Sequence, residues 1–440
     1  MVQARDMICD VLVESGIDHV FGIPGGGTIG IYDALYDHRD QIRTILTRHE
    51  HGASCMADMY GRLMGRPAVL MGQGAFIGSS GAFGIMEAHA SSSPMLVLTD
   101  TSDYMFPQQG RYQGGTGEYG SFDLLGILRS ISKYVALAST PKEAVQGVQL
   151  AVKHATSGRP GPACVLMRSA AIVGDIDNSS PPHIHRTPGY LSNVAPIARE
   201  EDVKQVIDRL TSAKRPVIIA GNGVRMAGAY NELMTLAEDF SAAVATSYKG
   251  KSCFPEDHPL AAGMMGRYGQ AVTNQIVGQS DFLLVVGCRL SPTDTCQEDP
   301  GVIDPARQKI IQIDIDPRNA GWTFPVERGL IGDAKAILGQ IIRMAGQMGA
   351  SGDRERLDRL VEQKKKGNYF EDPRMHAEDS PILPQRLVRI LQDTLDPSTI
   401  MTLDAGDNRV WVSHYFMTRM PGTLFAPGGI AGMGWGAPAA

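Results

Sequence analysis

The chain has 440 residues, 43% of them hydrophobic and 20% charged, a composition that excludes general disorder and fits about three domains. Its 47 acidic and 41 basic residues give a net charge of −6, so no nucleic-acid partner is expected. No apolar run approaches the roughly 18 residues that span a bilayer, so no membrane partner is expected either.

The first block, residues 1–173, alternates short apolar segments with amphipathic stretches. Strands separated by helical patterns are typical of βαβ units, so this block predicts a parallel sheet covered by helices. A polar, Pro-rich stretch at 174–196 is predicted to be a linker. The predicted strands lie at residues 19–23, 44–47, 68–72, 95–100 and 163–167.

The second block, residues 197–346, repeats this pattern with apolar runs that end in Gly or an acid, as buried parallel strands do. A charged, helix-prone stretch at 347–380 is predicted to be a second linker, in which the lysines at 364–366 form a solvated helix face. The predicted strands of the block lie at 215–221, 242–247, 281–287 and 309–317.

The third block, residues 381–440, contains two helical runs, 384–395 and 408–419, and one clear strand at 399–406. A parallel sheet covered on both faces needs more strands than this block holds, so we expect a truncated domain. The sequence therefore predicts an α/β protein with three consecutive doubly wound parallel-sheet domains, of which the third is partial.

Six cysteines are spread over the chain without a CxxC pair, and the first residues lack a charged and then apolar leader. This pattern favours free, buried thiols in a reducing compartment. We therefore expect a cytoplasmic protein.

A glycine motif, Gly25-x-Gly27-x-x-Gly30, follows the first predicted strand and opens a helix, and Glu50 follows 20 residues after Gly30. This spacing matches the dinucleotide fingerprint, so an NAD(P)-linked oxidoreductase is one hypothesis and a glycine turn without a ligand is another. Glu50, however, lies where a strand end passes into a helix start, which suits a ligand that arrives from another subunit.

Longer motifs surround these residues: FGIPGG at 21–26, RHEHGASCMADMYGR at 48–62 and SGRPGPACVLM at 157–167. With them the sequence resembles the thiamine-diphosphate enzymes of the acetolactate synthase group. The resemblance implies that the first block binds the pyrimidine of the cofactor and the third block its diphosphate. It covers nearly the whole chain, continuing in order through RPVIIAGNGV, KGKSCFPEDHPLAAGMMG, KIIQIDIDP, PQRLVRIL, LDAGDNRVW and GGIAGMGWGAPAA.

The resemblance implies thiamine diphosphate as cofactor and assigns residues to its site. Glu50 falls on the catalytic glutamate, which shares a proton with N1′ of the aminopyrimidine. Met433 falls on the methionine that holds the cofactor in its bent shape. The implied cofactor-binding residues are Pro24, Gly25, Glu50, Gly74, Gly406, Asp407 and Met433.

The second block resembles the central domain that holds FAD in acetolactate synthases. Some relatives keep this domain without a flavin, so FAD binding and a spacer role are both open. The residues that fall on flavin-contacting motifs are Gly221, Gly223, Arg289, Asp314, Ile315 and Asp333.

The sequence departs from the family on the substrate side of the cofactor. Gln73 stands where relatives usually have Pro, and the substrate-facing glutamine of the family aligns near Gly120, with Gln113 and Glu118 close by. His51 replaces a commoner Gln and is either a proton shuttle or a satisfied surface or cap histidine. These changes leave the acceptor substrate open.

The resemblance thus predicts decarboxylation of a 2-oxo acid and carboligation of the product, as in acetolactate synthases. The alternatives are another lyase or decarboxylase of the superfamily, an NAD(P)-linked oxidoreductase and a non-catalytic regulatory homologue. The GDG…Asn motif that binds Mg²⁺ in the family is expected beyond Ala440, so no metal ligand is assigned. Family sites form between subunits, so a homodimer or homotetramer is expected.

Overall fold

The protein is described by a computed structural model over residues 1–103, 109–191 and 194–440. Residues 192 and 193 of the first predicted linker lie outside this range. The contacts of the chain define two compact units. The N-terminal unit comprises Met1–Asn193 and Pro427–Ala440, and the central unit comprises Val194–Ala426.

The N-terminal unit alternates strands and helices, as its apolar pattern predicts. Its strands are β1 (Val2–Gln3), β2 (His19–Gly22), β3 (Arg43–Leu46), β4 (Val69–Gly72), β5 (Met95–Asp100), β6 (Tyr134–Ala138), β7 (Pro162–Met167) and β8 (Asp175–Ile176). Its helices are α1 (Ala4–Glu14), α2 (Ile29–Asp37), α3 (Glu50–Met64), α4 (Gly74–Ile77), α5 (Ala82–Ser91), α6 (Leu124–Ile131), α7 (Pro141–Thr156), α8 (Ser169–Val173) and α9 (Thr187–Tyr190).

Six of these strands form one parallel sheet in the order β3-β2-β4-β5-β7-β6. Helices α1, α2 and α7 bury apolar side chains on one face of the sheet, and α3, α5 and α6 cover the other. The chain order reverses between β2 and β4, and the crevice beyond the carboxyl ends of strands at such a reversal is where α/β sheets bind ligands.

The central unit repeats this architecture around a second parallel sheet of six strands, in the order β11-β10-β9-β12-β13-β14. Its strands are β9 (Pro216–Ala220), β10 (Ala243–Thr246), β11 (Ala261–Met264), β12 (Phe282–Val286), β13 (Lys309–Asp314), β14 (Arg328–Ile331), β15 (Met401–Thr402) and β16 (Leu424–Phe425). Its helices are α10 (Glu200–Ser212), α11 (Asn222–Met226), α12 (Tyr230–Phe240), α13 (Ala271–Gly278), α14 (Ala334–Met348), α15 (Glu355–Lys366), α16 (Pro384–Thr394) and α17 (Asp407–Tyr415).

The α/β class with parallel sheets is confirmed, and the strands of the two six-stranded sheets that the sequence pattern missed are β6, β11 and β14. All three lie at sheet edges. An edge strand pairs on one side only and needs fewer apolar residues, so its pattern is weak. In β11 a glycine, Gly263, adopts a positive φ of 91°, which lowers the strand signal further.

The third block does not form a doubly wound sheet of its own in the described residues. Strands β15 and β16 make a two-stranded parallel sheet, with α16 and α17 packed around a small core of Val388, Leu403, Val412 and Leu424. This segment belongs to the central unit up to Ala426, whereas Pro427–Ala440, with the last helix α18 (Gly436–Ala439), belongs to the N-terminal unit. The predicted boundaries at 381 and 440 stay predictions.

The expectation of a solvated lysine face at 364–366 is wrong for one of its members. Lys364 is partly buried, and its Nζ donates to the carbonyl oxygens of His258 and Pro259 at 3.3 and 3.4 Å. Burial lowers the pKa of Lys364 to about 8. None of the described helices is long and apolar enough to cross a membrane.

Candidate functional site

The glycine turn that follows β2 is fixed by a buried acid, Asp100, at the end of β5. The Asp100 carboxylate accepts hydrogen bonds from the backbone N–H groups of Gly27 (2.9 Å), Gly74 (3.0 Å) and Ser102 (3.0 Å). Burial raises the pKa of Asp100, and these N–H groups oppose that rise. The residue therefore ties the turns after β2 and β4 together at the sheet reversal.

This arrangement conflicts with the dinucleotide hypothesis. In a dinucleotide site the N–H groups of the glycine turn point at a pyrophosphate. The Gly27 N–H instead points at Asp100, and Gly26 has a positive φ of 55° that brings its backbone against the same carboxylate. A negatively charged side chain occupies the place that the phosphates would need.

Glu50 is the first residue of α3 and follows the end of β3. His49 precedes it as N-cap, accepting the N–H of His51 on its ring nitrogen at 3.3 Å. The Glu50 side chain is 8% exposed, and its carboxylate has no hydrogen-bond partner within the described ranges. Because no internal donor occupies this carboxylate, it is available to a ligand that brings a hydrogen-bond donor. The protonated N1′ of an aminopyrimidine has that chemistry.

The surroundings of Glu50 agree with such a role. Burial, with the Glu50 charge as second cause, raises the pKa of Tyr32, whose hydroxyl donates to the Met71 carbonyl oxygen at 2.9 Å. An open cleft of about 590 Å³ lies beside this helix start, lined by residues that include Leu46, Thr47, His49, His51, Met56 and Pro438.

The predicted cofactor residues Pro24, Gly25 and Gly74 lie on the same turns. Gly25 is in close contact with Gln73, since an added Cβ would stand 3.2 Å from the Gln73 Cβ. The Gln73 side chain is buried, and its Nε2 donates to Gln113 Oε1 at 2.7 Å. The substitution for the usual Pro thus places a buried pair of amides beside the predicted cofactor turn.

Met433 lies in Pro427–Ala440, the C-terminal segment of the N-terminal unit, and its side chain is 81% exposed. The next residue, Gly434, accepts a hydrogen bond on its carbonyl oxygen from His51 Nε2 at 2.9 Å. The neighbours of Met433 and Glu50 are therefore in direct contact. The same contact engages His51, whose ring also packs on Phe83 with 4.3 Å between centroids.

Gly406 and Asp407 lie in the central unit, at the start of α17. Gly406 has φ of 99°, a backbone conformation that glycine adopts without strain. The Asp407 side chain is exposed. The turn leads from β15 into the N-terminus of α17, a helix of nine residues. A helix N-terminus is the local structure that binds phosphate groups in many proteins.

The candidate flavin residues are mostly engaged in the structure of the central unit itself. Gly221 and Gly223 donate their N–H groups to the carbonyl oxygens of Val286 and Gly287, each at 2.9 Å. An added Cβ on Gly221 would stand 2.3 Å from Gly287 O, so glycine is required where the turn after β9 crosses the end of β12. This close approach alone explains both glycines.

The two candidate acids also have internal partners. Asp314 accepts from the Asp316 N–H at 2.9 Å and from Asn319 Nδ2 at 3.0 Å, and Asp333 caps α14 by accepting the Ala336 N–H at 2.9 Å. Of the remaining candidates, Arg289 is exposed and Ile315 partly buried. One observation points to a ligand at this sheet: the buried Thr246 hydroxyl, at the carboxyl end of β10, has no hydrogen-bond partner within the described ranges.

Comparisons with known proteins agree with the N-terminal site. Residues 2–117 match the N-terminal TPP binding domain of thiamine pyrophosphate enzymes, and residues 203–341 match the central domain of the same enzymes. The whole chain aligns, with 34% identity over 447 residues, to a probable acetolactate synthase large subunit of Methanocaldococcus jannaschii, of which it covers 73%. The chain belongs to the thiamine pyrophosphate enzyme family.

Two further relatives give the same assignment. The acetolactate synthase large subunit of Corynebacterium glutamicum is 30% identical over 431 residues, which are 98% of this chain and 66% of that protein. That of Lactococcus lactis is 26% identical over 438 residues, 99% of the chain and 72% of the relative. The family predicted from the motifs is confirmed, and thiamine pyrophosphate is the thiamine diphosphate of that prediction. The protein is an enzyme that depends on this cofactor, which excludes the NAD(P)-linked and non-catalytic alternatives.

The individual roles of the candidate residues stay predictions within this thiamine pyrophosphate enzyme. Sequence reasoning missed Asp100, although an acid that ends a fully buried strand, MLVLTD, is a signal of a specific role. It also missed Glu87, a fully buried acid on α5. The four backbone N–H groups that donate to Glu87 lie more than 340 residues later in the chain, so no local pattern could identify them.

Proposed function

We propose that the protein decarboxylates a 2-oxo acid and joins the resulting two-carbon or longer fragment to a second 2-oxo acid, as the acetolactate synthases do. With pyruvate as both substrates, two molecules would give one acetolactate and one carbon dioxide. The observation that carries the proposal is the buried Glu50 carboxylate, without a partner among the described residues, at the sheet reversal of a chain related over its whole length to acetolactate synthase large subunits.

The cofactor, when bound, supplies the carbon nucleophile and the electron acceptor that the loss of carbon dioxide requires. Glu50 would hold a proton between its carboxylate and N1′ of the pyrimidine, and so promote proton removal from the reacting carbon. Pro24, Gly25 and Gly74 would surround the pyrimidine, and Met433 would support the bent shape of the cofactor.

Two further ligands belong to the proposal. Mg²⁺ would accompany the diphosphate, for which the Gly406–Asp407 turn is the candidate contact in this chain. The described residues contain no group of three or more His, Cys, Asp or Glu side chains that could hold a metal, so no step is assigned to the ion. FAD would bind at the carboxyl edge of the central sheet, where the Thr246 hydroxyl lacks a partner among the described residues.

The proposed assembly is a homodimer or a larger homo-oligomer in the cytoplasm. Exposed apolar side chains lie around the candidate site, with Leu46 at 70% and Met433 at 81% exposure. A second subunit would cover such groups. All six cysteines are free in the structure, which agrees with a reducing compartment.

The test is to incubate the purified full-length protein with thiamine diphosphate, Mg²⁺ and pyruvate. We expect acetolactate and carbon dioxide in equal amounts. NMR measures the acetolactate, and gas release measures the carbon dioxide. Acetaldehyde and carbon dioxide in place of acetolactate would favour a simple decarboxylase, the second candidate, because the residues on the substrate side depart from the family. The absence of carbon dioxide with pyruvate and other 2-oxo acids would contradict both.

Flavin is tested separately by colour and stability. A protein that binds FAD should be yellow, and saturating FAD at 100 times its Kd should raise the free energy of unfolding by about 2.7 kcal/mol. A colourless protein that gains no stability from FAD would leave the central unit as a spacer.

A further inference from the structure

The loop that precedes Met433 is held by a buried carboxylate. Glu87, on α5, is fully buried and accepts hydrogen bonds from four consecutive backbone N–H groups. Gly428 and Gly429 donate to Oε1 at 3.1 and 2.8 Å, and Ile430 and Ala431 donate to Oε2 at 2.8 and 3.2 Å. Consecutive N–H groups that converge in this way form an anion-binding concavity, and here the anion is a side chain of the protein.

The charge of Glu87 is stabilised from the other side by Arg62. Arg62 Nη2 stands 2.7 Å from Glu87 Oε1 and 2.7 Å from Asp58 Oδ2, and all three side chains are buried. Burial alone would raise the pKa of Glu87, but Arg62 and the backbone donors lower it to about 2. The cluster contains two acids and one base, so the N–H groups of the loop are needed to stabilise the second negative charge.

The loop also fits closely against the helices below it. An added Cβ on Gly432 would stand 2.0 Å from the Phe83 ring, and one on Gly429 would stand 2.7 Å from the Ala90 Cβ. Ala431, a residue with a Cβ, is held at a positive φ of 55°. A conformation of this kind persists only where the surroundings impose it, and the bond from the Ala431 N–H to Glu87 Oε2 restrains it directly.

The loop ends at the helix that begins with Glu50. Trp435 is fully buried, and its Nε1 donates to Asp58 Oδ2 on α3 at 2.8 Å. Gly434 O is bonded to His51 on the first turn of the same helix. The residues on both sides of Met433 are thus fixed to α3 or α5, while the Met433 side chain itself stays exposed.

We propose that Glu87 is a positioning residue, which through the N–H groups of residues 428–431 fixes Met433 in place beside the catalytic end of α3. This role rests on the proposed function, since it assumes that Met433 supports the cofactor. Glu87 itself would not touch the cofactor or the substrate. The Glu87→Gln variant tests it, because this change keeps the shape of the side chain and leaves Arg62 and Asp58 as a balanced ion pair.

Two measurements on the full-length protein are combined. In the absence of cofactor, hydrogen exchange followed by mass spectrometry should show protected amides at 428–431 in the parent and faster exchange in Glu87→Gln. At saturating thiamine diphosphate and Mg²⁺, C2 proton exchange in the variant should be slower by roughly 10- to 100-fold, the effect of a displaced supporting group. Its apparent Kd for the cofactor should rise as well.

The matched control is Glu256→Gln in the central unit. Glu256 is equally buried, is paired with Lys251 at 2.7 Å and accepts the Thr418 N–H at 2.8 Å. Its substitution should lower the melting temperature at least as much, with parental C2 exchange. Trp435→Phe removes the bond to Asp58 and part of the ring that packs on Arg62, and it leaves Glu87 in place. This milder second variant should show the same change as Glu87→Gln, but a smaller one.

Parental C2 exchange in a folded Glu87→Gln variant whose loop amides have lost protection would overturn the positioning role. Unchanged protection at 428–431 would overturn the restraint itself. A parent protein that binds no thiamine diphosphate would instead contradict the proposed function, and the exchange measurement without cofactor separates the two failures.

Discussion

The N-terminal and central units are built on the same architecture and differ in what they place at the carboxyl ends of their strands. Each has six parallel strands with a reversal of chain order. In the N-terminal unit the acid that follows β3, Glu50, is buried without a hydrogen-bond partner in the described part of the chain. In the central unit the corresponding acids, Asp314 and Asp333, are bonded to the turn and the helix that follow them.

This difference separates structural acids from chemical ones. An acid with internal donors stabilises its own turn, and nothing more is needed to explain it. An acid that lacks internal donors and lies beside a cleft is available to a ligand. The fold alone therefore assigns no function to either unit. The hydrogen bonding of the acids at the strand ends is what distinguishes the two units.

The largest expected effect is that of Glu50→Gln. The amide cannot exchange a proton with N1′ as a carboxylate does, so C2 exchange of bound thiamine diphosphate should slow by at least about 10²-fold. The exchange is measured by NMR in D₂O. The matched control is Asp202→Asn, an acid that is also buried in the first turn of a helix but is paired with Arg199 at 3.0 Å. Equal exchange in Glu50→Gln and the parent would refute the catalytic assignment.

The second prediction concerns the buried ion pair of the central unit. Lys251 and Glu256 are each 1% exposed, and Lys251 Nζ stands 2.7 Å from Glu256 Oε2. Lys251→Met leaves the Glu256 charge buried without its cation and should lower the free energy of unfolding by about 3–5 kcal/mol. Urea unfolding measures this loss.

The double variant Lys251→Met/Glu256→Leu completes that comparison. Replacement of both charges by apolar groups should recover much of the loss. Activity per folded molecule should stay at the parental level in both variants. A fall in C2 exchange in the folded double variant would show that the central ion pair also acts on the catalytic site, and the contrast between the two units would fail.

The sequence predicted the buried parts of this structure well, because a central strand needs a continuous apolar run. Strands β2, β4, β5, β7, β9, β12 and β13 all lie within or next to predicted segments. The edge strands β6, β11 and β14 escaped, since one of their sides is open, whereas the edge strand β3 was predicted at 44–47. The motif around Glu50 located the candidate site, because the acid, the helix start and the glycine turn are local in the sequence.

What the sequence could not supply are the partners that tertiary structure brings together. Asp100 joins turns that lie 73 and 26 residues before it. Glu87 binds N–H groups more than 340 residues later. Backbone donors carry no side-chain signature, so an acid that serves them is indistinguishable in sequence from any other acid. The hydrogen bond to the Ala336 N–H, and not the motif, identifies Asp333 as a helix cap and distinguishes it from Glu50, the candidate catalyst.

The smallest expected effect tests that last distinction at Asp333. If its carboxylate only caps α14, Asp333→Ala should lower the free energy of unfolding by about 1 kcal/mol, and Asp333→Asn should change it little, because Asn is as good an N-cap as Asp. If the carboxylate also contacts FAD, both variants should lose FAD affinity, and Asn would no longer behave as the parent. We expect the first pattern, since the Ala336 N–H already occupies the Asp333 carboxylate at 2.9 Å. Urea unfolding with and without saturating FAD distinguishes them: a stabilisation by FAD that is equal in the parent and in Asp333→Asn supports a structural cap, whereas a smaller stabilisation in Asp333→Asn would move Asp333 from the structural acids to the ligand-binding ones.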